Sequence, residues 1–418
     1  YGLEPGIYHV ASGGRSPIPS KPGPYDKDAM TYYPSGTADT AADVALRAGE
    51  EVTGIDIRYR GTAGYSISGS ISAAPDFLQG GVFVMLTHGP SGSLLGTIFV
   101  VPGNQSRGFI FDGIGDGDYY VTAYANSVMR EGEVASASPR RISVKGGDVT
   151  GANLTLTPLG TIKGHVVIER SLGADLKQNC GEHPAPQLRE VVVSVRSGNR
   201  NRPEREYLSL LDGFLSTSLS EGGEVLIRHT DAGQHFIVID LPAGPLYVKA
   251  ISLPVATPGA AKIDAARNGI NLKAGGRLDG LVITLAEGAA RLAGKVAPAK
   301  EGSALPARMR VHLVPAEQES AEETLRYAEV LTGADESFEF FNIAPGRYWV
   351  VVRAVPEEES PEVAPRPLAW DASGRAGLRF EGEAINAVVE LKPCSHLAAF
   401  TVRYNPPMTR PSKRQERD

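Results

Sequence analysis

Four short segments of this chain align on a single glycine: Leu3-Glu4-Pro5-Gly6-Ile7-Tyr8, Ile114-Gly115-Asp116-Gly117-Asp118-Tyr119, Leu241-Pro242-Ala243-Gly244-Pro245-Leu246 and Ile343-Ala344-Pro345-Gly346-Arg347-Tyr348. In the last three, an apolar or alternating run precedes the glycine (Phe109 to Phe111, Phe236 to Val238, Phe338 to Phe340) and another follows it (Tyr120 to Ala123, Tyr247 to Ala250, Trp349 to Val352). Strand, glycine turn, strand predicts a β-hairpin whose glycine takes the positive φ that the turn requires. A second repeat follows each hairpin, a glycine and then a small residue five positions on: Gly49/Gly54, Gly146/Gly151, Gly275/Gly280 and Gly382/Ala387. Each leads into a predicted strand (Ile55 to Ile57, Leu154 to Leu156, Leu281 to Ile283, Val388 to Leu391). A third element, Ser66 to Gly69, Thr161 to Gly164 and Arg291 to Gly294, opens the next unit.

Matching copies lie about 95 to 130 positions apart, the size of one antiparallel sandwich of ~100 residues, and far from the 20–50 of a solenoid or propeller. The predicted units are 63–158, 159–287 and 288–393, preceded by 1–62, which holds only the end of the pattern, and followed by a tail, 394–418. Composition agrees: 418 residues exceed one core, and 48 glycines and 30 prolines with 7% aromatics fit many short strands joined by tight turns. The expected fold is all-β, a tandem array of immunoglobulin-like antiparallel sandwiches. Helical patterns are few. Glu319 to Thr332 and Glu204 to Leu211 each fit a short helix or a charged strand, and the second unit carries insertions around Ser171–Glu190 and Asn199–Ser220.

On these motifs the chain resembles bacterial proteins with tandem carboxypeptidase regulatory-like (transthyretin-like, Cna B-like) domains. The "L-x-P-G-x-Y-x-V" hairpin of that superfamily matches Leu3 to Val10 and Ile343 to Val350, while Ile114 to Val121 has Asp116 in place of proline. A narrower resemblance, to multi-domain surface proteins of acidobacterial type, rests on Thr31 to Thr37 (TYYPSGT) and Leu391 to Cys394 (LKPC). The resemblance implies an exported β module without peptidase chemistry.

Net charge is −6, and the only dense cationic run is Arg410 to Arg417, so no basic face points to nucleic acid. No apolar stretch approaches ~20 residues, so no helix is expected to span a membrane. Cys180 and Cys394 lack metal-ligand spacing and are either one disulfide or two free thiols; export favours the disulfide. The eight histidines form no HxH or HExxH pair, although His229 and His235 flank a predicted turn. Asp112, Asp116 and Asp118 crowd one segment but lack the order of a calcium loop. No nucleophile elbow or phosphate-binding loop occurs. No catalytic residue, metal or cofactor is expected.

The expected role is a non-enzymatic extracellular or cell-surface structural protein that associates with itself or with other surface proteins. An incomplete first unit exposes strand edges. The segment with Leu397, Phe400, Val402 and Tyr404 is then a candidate donor strand for a neighbouring chain. Tyr25, Tyr32 and Tyr33, in a Pro/Gly-rich stretch, are candidates for contact with a carbohydrate ligand or another subunit. The alternatives are a carbohydrate- or peptide-binding adhesion module, or an accessory segment of a larger exported protein.

Overall fold

The computed structural model describes residues 3, 5–14, 23–90, 92–101, 107–129, 132–169, 180, 188–198, 217–254, 262–300, 302–356 and 366–405. Glu204 to Leu211, most of both insertions, and the basic tail lie outside them.

The chain is all-β, built from mainly antiparallel sheets packed in pairs, with one parallel strand pair in each sandwich. Three separate apolar cores follow one another along the sequence, from Ile67 to Leu156, from Ile162 to Leu285 and from Ala290 to Val402. Each core lies between the same two sheets. In the first sheet the opening strand pairs antiparallel with the first strand of the hairpin: Tyr65–Ser72 with Gly108–Ile114, Gly160–Glu169 with Glu224–Thr230, and Ala290–Pro298 with Ser337–Ile343. Its other edge takes the closing strand in parallel: Leu154–Thr155, Arg277–Glu287 and His396–Tyr404 respectively. In the second sheet the second hairpin strand (Gly117–Asn126, Gly233–Asp240, Gly346–Ala354) is central, flanked by Val82–His88, Val192–Ser197 or Met309–Pro315 on one side. On its other side lies Arg140–Val144, Ile270–Leu272 or Val388–Leu391.

The glycine that opens each unit has a steric cause. A Cβ on Gly69 would overlap the carbonyl oxygen of Ala152, one on Gly164 that of Leu281, and one on Gly294 that of Phe400. The register of the opening strand shifts at this place in the second and third sandwiches, between Ile162 and Gly164 and between Leu292 and Gly294. The closing strand's backbone thus runs where a side chain would otherwise stand, and only glycine admits it.

Several sequence expectations need correction. In the second sandwich the repeat's hairpin is not Leu241 to Leu246 but Thr230-Asp231-Ala232-Gly233-Gln234-His235. Gly233 pairs with Leu272, as Gly117 pairs with Val144, Gly346 with Leu391 and Gly6 with Leu46. Gly117, Gly233 and Gly346 have positive φ (150°, 130° and 152°), whereas Gly244 and Gly6 do not. Leu246–Leu253 is instead an added strand, antiparallel on the free edge of Arg277–Glu287.

The pair Gly382/Ala387 is likewise no turn. Gly382 lies in a helix, Ala372–Ile385, packed so closely on Trp349 that a Cβ would come within 2.8 Å of that side chain. The left-handed residue in the third sandwich's last turn is Cys394 (φ 58°), at the place of Gly49, Gly146 and Gly275 (72°, 69° and 62°). The segment with Leu397, Phe400, Val402 and Tyr404 is therefore no spare donor. It is the closing strand of its own sandwich, running past residue 393 and burying Val402 in the third core. Ile55 to Ile57, at the closing-strand place of the first unit, forms no strand. Of Glu319 to Thr332, part is a 3₁₀ turn at Thr324–Arg326 and part a strand at Ala328–Leu331.

Opposite signs are expected for two glycine substitutions compared by urea unfolding. Gly294→Ala should cost roughly 1–3 kcal/mol through overlap with the closing strand. Gly377→Ala, on the helix with open space around it, should gain up to about 1 kcal/mol. A neutral Gly294→Ala would mean that the two strands do not cross as closely as described.

Candidate functional site

The most individual chemistry of the chain lies at the joints between successive sandwiches, and it starts from one backbone position. The residue just before each hairpin turn is left-handed: Gly113 (φ 73°), His229 (57°) and Asn342 (57°). Each projects against the preceding unit, always onto the connection that follows that unit's hairpin. A Cβ on Gly113 would stand 2.5 Å from the Asp26 carbonyl oxygen and 2.8 Å from that of Asp28. His229 Nε2 lies 3.1 Å from the Gly132 carbonyl oxygen. Asn342 Nδ2 donates to the carbonyl oxygens of Pro242 (3.0 Å) and Leu246 (2.8 Å). One position, filled by three residue types, therefore pins each sandwich to the one before it.

The turn beside the pin is closed from within. The Tyr119 hydroxyl donates to the Gly115 carbonyl (2.8 Å) and Tyr348 to that of Ala344 (2.6 Å), the same step back along the chain. Burial pushes both phenols up, Tyr348 to about 12. In the second sandwich His235 takes this place, its Nε2 2.8 Å from the Asp231 carbonyl oxygen. His229 and His235 thus hold separate backbone carbonyls. Of the acidic run, Asp116 accepts from the Gly146 amide (2.6 Å), joining two turns, and Asp118 pairs across adjacent strands with Arg141 (2.7 Å). Among the described residues no cluster of three metal-ligating side chains forms.

The first joint surrounds a cavity of about 150 Å³ lined by Thr31, Tyr32, Arg60, Asp112, Asp116 and Tyr119. Tyr32 is therefore at a joint, while Tyr25 is exposed and meets Tyr59 edge-on at 5.6 Å. The Tyr33 backbone N–H donates to the Val10 carbonyl, and the three tyrosines share no ring contact. His88, buried, faces Asp39 of the first unit at 3.3 Å.

The joint between the second and third sandwiches is the most heavily built. Trp370 stacks on Phe236 (centroids 4.3 Å apart), with Arg196 over the Trp370 ring and Arg366 over both rings. Arg366 also donates to the Gly198 carbonyl (2.8 Å), and Arg267 pairs with Glu322 (3.0 Å). Cys180 and Cys394 are disulfide-bonded, their Cα atoms 5.0 Å apart, tying the insertion of the second sandwich to the last turn of the third. Beside this joint opens a cleft of about 530 Å³, walled by Phe236, Tyr327, Phe341 and Trp370 with Asp240 and Glu329.

Neither the pins nor the His235 corner was legible from residue type, because the pins are glycine, histidine and asparagine. Aligning Thr230 to His235 on Gly233 would have found both, since the residue before the motif is then the pin and its last residue the corner.

No family model matches the chain, and no curated protein does. Among solved structures it is similar to the Bacillus anthracis TIE protein (10% identity over 90% of this chain, TM-score 0.19), of which it spans 57%. It is similar also to the major pilin subunit of Bacillus cereus (10% identity, 72% of this chain and 91% of that one, TM-score 0.19). A third is the minor pilin of Streptococcus agalactiae (9% identity, 58% and 100%, TM-score 0.22). Superpositions this loose carry no argument about function. What the chain's own geometry defines is a tandem β-sandwich protein with a repeated docking joint.

Two outcomes are expected at the joints. The disulfide closes a separation of 214 residues, so reduction should cost at most about 5 kcal/mol on the chain-entropy model. With Cys180→Ser as background, Cys394→Gly should be more stable in urea than Cys394→Ser by about 1 kcal/mol, because the position is left-handed. For His88, burial, with His9 acting in the same direction, holds the imidazole below its ordinary 6.5 against the opposing pull of Asp39 and, last, Asp118. The unfolded chain then takes up the proton first, so stability present above pH 6.5 is lost as pH falls toward the depressed folded value. An NMR titration of the His88 ring should give a midpoint below 6.5, lower still in Asp39→Asn; a midpoint above it would refute the assignment.

Proposed function

We propose that this chain is a non-enzymatic structural module of an exported, cell-surface assembly, a fibre, filament or matrix in which tandem sandwiches space and link the surfaces at their ends. The observation that carries this reading is the parallel pairing of opening and closing strands. A chain that enters on one strand and leaves on its parallel neighbour exits at the opposite end of the sandwich. Successive units therefore stack end to end. The connection is short: one sandwich ends at Glu287 and the next begins at Ala290. The pins His229 and Asn342 and the Cys180–Cys394 bond then oppose bending at the joints. Rigid spacing is what a stalk or fibre requires, and the disulfide suits an oxidising compartment.

A second reading is favoured by one observation, the cleft between the second and third sandwiches. Its aromatic walls and carboxylates have the chemistry of a carbohydrate site, which would make the chain an adhesion module. As an accessory segment of a larger exported protein, it would act as the same spacer.

Negative-stain electron microscopy of the intact chain, paired with size-exclusion chromatography, separates the two. Regular filaments or ordered multimers are expected. A dispersed monomer that binds oligosaccharides, with affinity lost in Asp240→Ala, would transfer the function to the cleft.

A further inference from the structure

We propose that the closing strand of the third sandwich, His396–Tyr404, is an acceptor edge that pairs antiparallel with the same strand of a second copy, so that two chains share one continuous sheet. The inference rests on the assembly reading above and names its partner.

The internal repeat supplies the comparison. In the second sandwich the closing strand Arg277–Glu287 is covered on both edges, by Gly160–Glu169 in parallel and by Leu246–Leu253 antiparallel. Under that cover Leu281, Ile283 and Leu285 are wholly buried. Gly164 and Gly294, opposite Leu281 and Phe400, place Phe400, Val402 and Tyr404 at the equivalent positions. There the sheet runs Ser337–Ile343, Ala290–Pro298, His396–Tyr404 and ends; among the described residues no strand covers the outer edge. Phe400 and Tyr404 are only partly buried, and His396 to Ala399 are exposed, Leu397 among them. Among the described residues the third sandwich thus has no counterpart of the strand Leu246–Leu253.

Long bare edges are ordinarily blunted by lysine, proline or a short strand. This edge spans nine residues, HLAAFTVRY, with neither lysine nor proline and a single arginine. Self-pairing about a twofold axis is compatible with its side chains. Centred on Phe400, it sets His396 against Tyr404, Leu397 against Arg403, Ala398 against Val402 and Ala399 against Thr401, and no like charges oppose. An isologous contact of this kind closes on itself as a pair, and it leaves the joints between sandwiches free to set the spacing.

The test uses the intact chain. Light scattering after size exclusion across a concentration series should give a dimer. Hydrogen exchange in that dimer should slow at the amides of 397–404 by about ten-fold relative to dilute monomer. Ala399→Lys, at an exposed position, should raise the dimer dissociation constant at least about ten-fold while the unfolding midpoint is retained. Should that variant fold poorly, excess synthetic peptide of residues 396–404 should dissociate the native dimer instead. A monomer at all concentrations overturns the pairing, as does a dimer whose 397–404 amides exchange unchanged. Filaments that persist in Ala399→Lys would overturn this contact and leave the assembly reading standing, whereas dimers without filaments would support the contact and remove the fibre.

Discussion

The close parallel crossing of each opening strand with its closing strand is the constraint on which the other features depend. A carbonyl oxygen in or just before the closing strand occupies the space of a side chain, so Gly69, Gly164 and Gly294 are obligatory at that step. Because the two strands are parallel, entry and exit lie at opposite ends of the sandwich, and a following unit stands on the end that the chain has just left. The short linkers, the docking of each hairpin on the preceding connection and the in-line order of the cores all follow from that choice.

Given this order, every joint faces the same problem: a left-handed residue must meet the backbone of the unit before it. Glycine meets it by close approach at 113, histidine by a single hydrogen bond at 229 and asparagine by two at 342. A left-handed φ is tolerated best by glycine and asparagine. His229 bears the conformation with its ring held on a carbonyl of the neighbouring unit. The last joint goes furthest, adding the Phe236–Trp370 stack, its arginines and a disulfide, and these draw on the residues most particular to the second and third sandwiches.

The bare edge of the third sandwich gains its meaning from the same repetition. The second sandwich covers the corresponding edge with Leu246–Leu253, a strand that the connection after its hairpin supplies. In the third, that connection instead forms the helix Ala372–Ile385, which buries Leu378 with Val314 and Val351 on the other sheet. Among the described residues that connection supplies no edge strand, and the outer edge of His396–Tyr404 is uncovered.

The sequence by itself determined the all-β class, the tandem order and the glycine turns at Gly117, Gly346, Gly146 and Gly275, because these depend on local demands: alternation of apolar residues and positive φ at fixed offsets. It misplaced the hairpin of the second unit, since Leu241 to Leu246 imitates the motif while His235 replaces its tyrosine. It also missed the helix Ala372–Ile385, whose three glycines lower helix propensity and are tolerated because two of them meet Leu368 and Trp349 at close range. Only the tertiary structure decided the fate of Leu397, Phe400, Val402 and Tyr404, the meeting of Cys180 with Cys394, and the pins at 113, 229 and 342. Each of these is a contact between residues far apart in the chain. No periodicity encodes such a partner, and it appears only when the parallel strand pair has set where each unit stands.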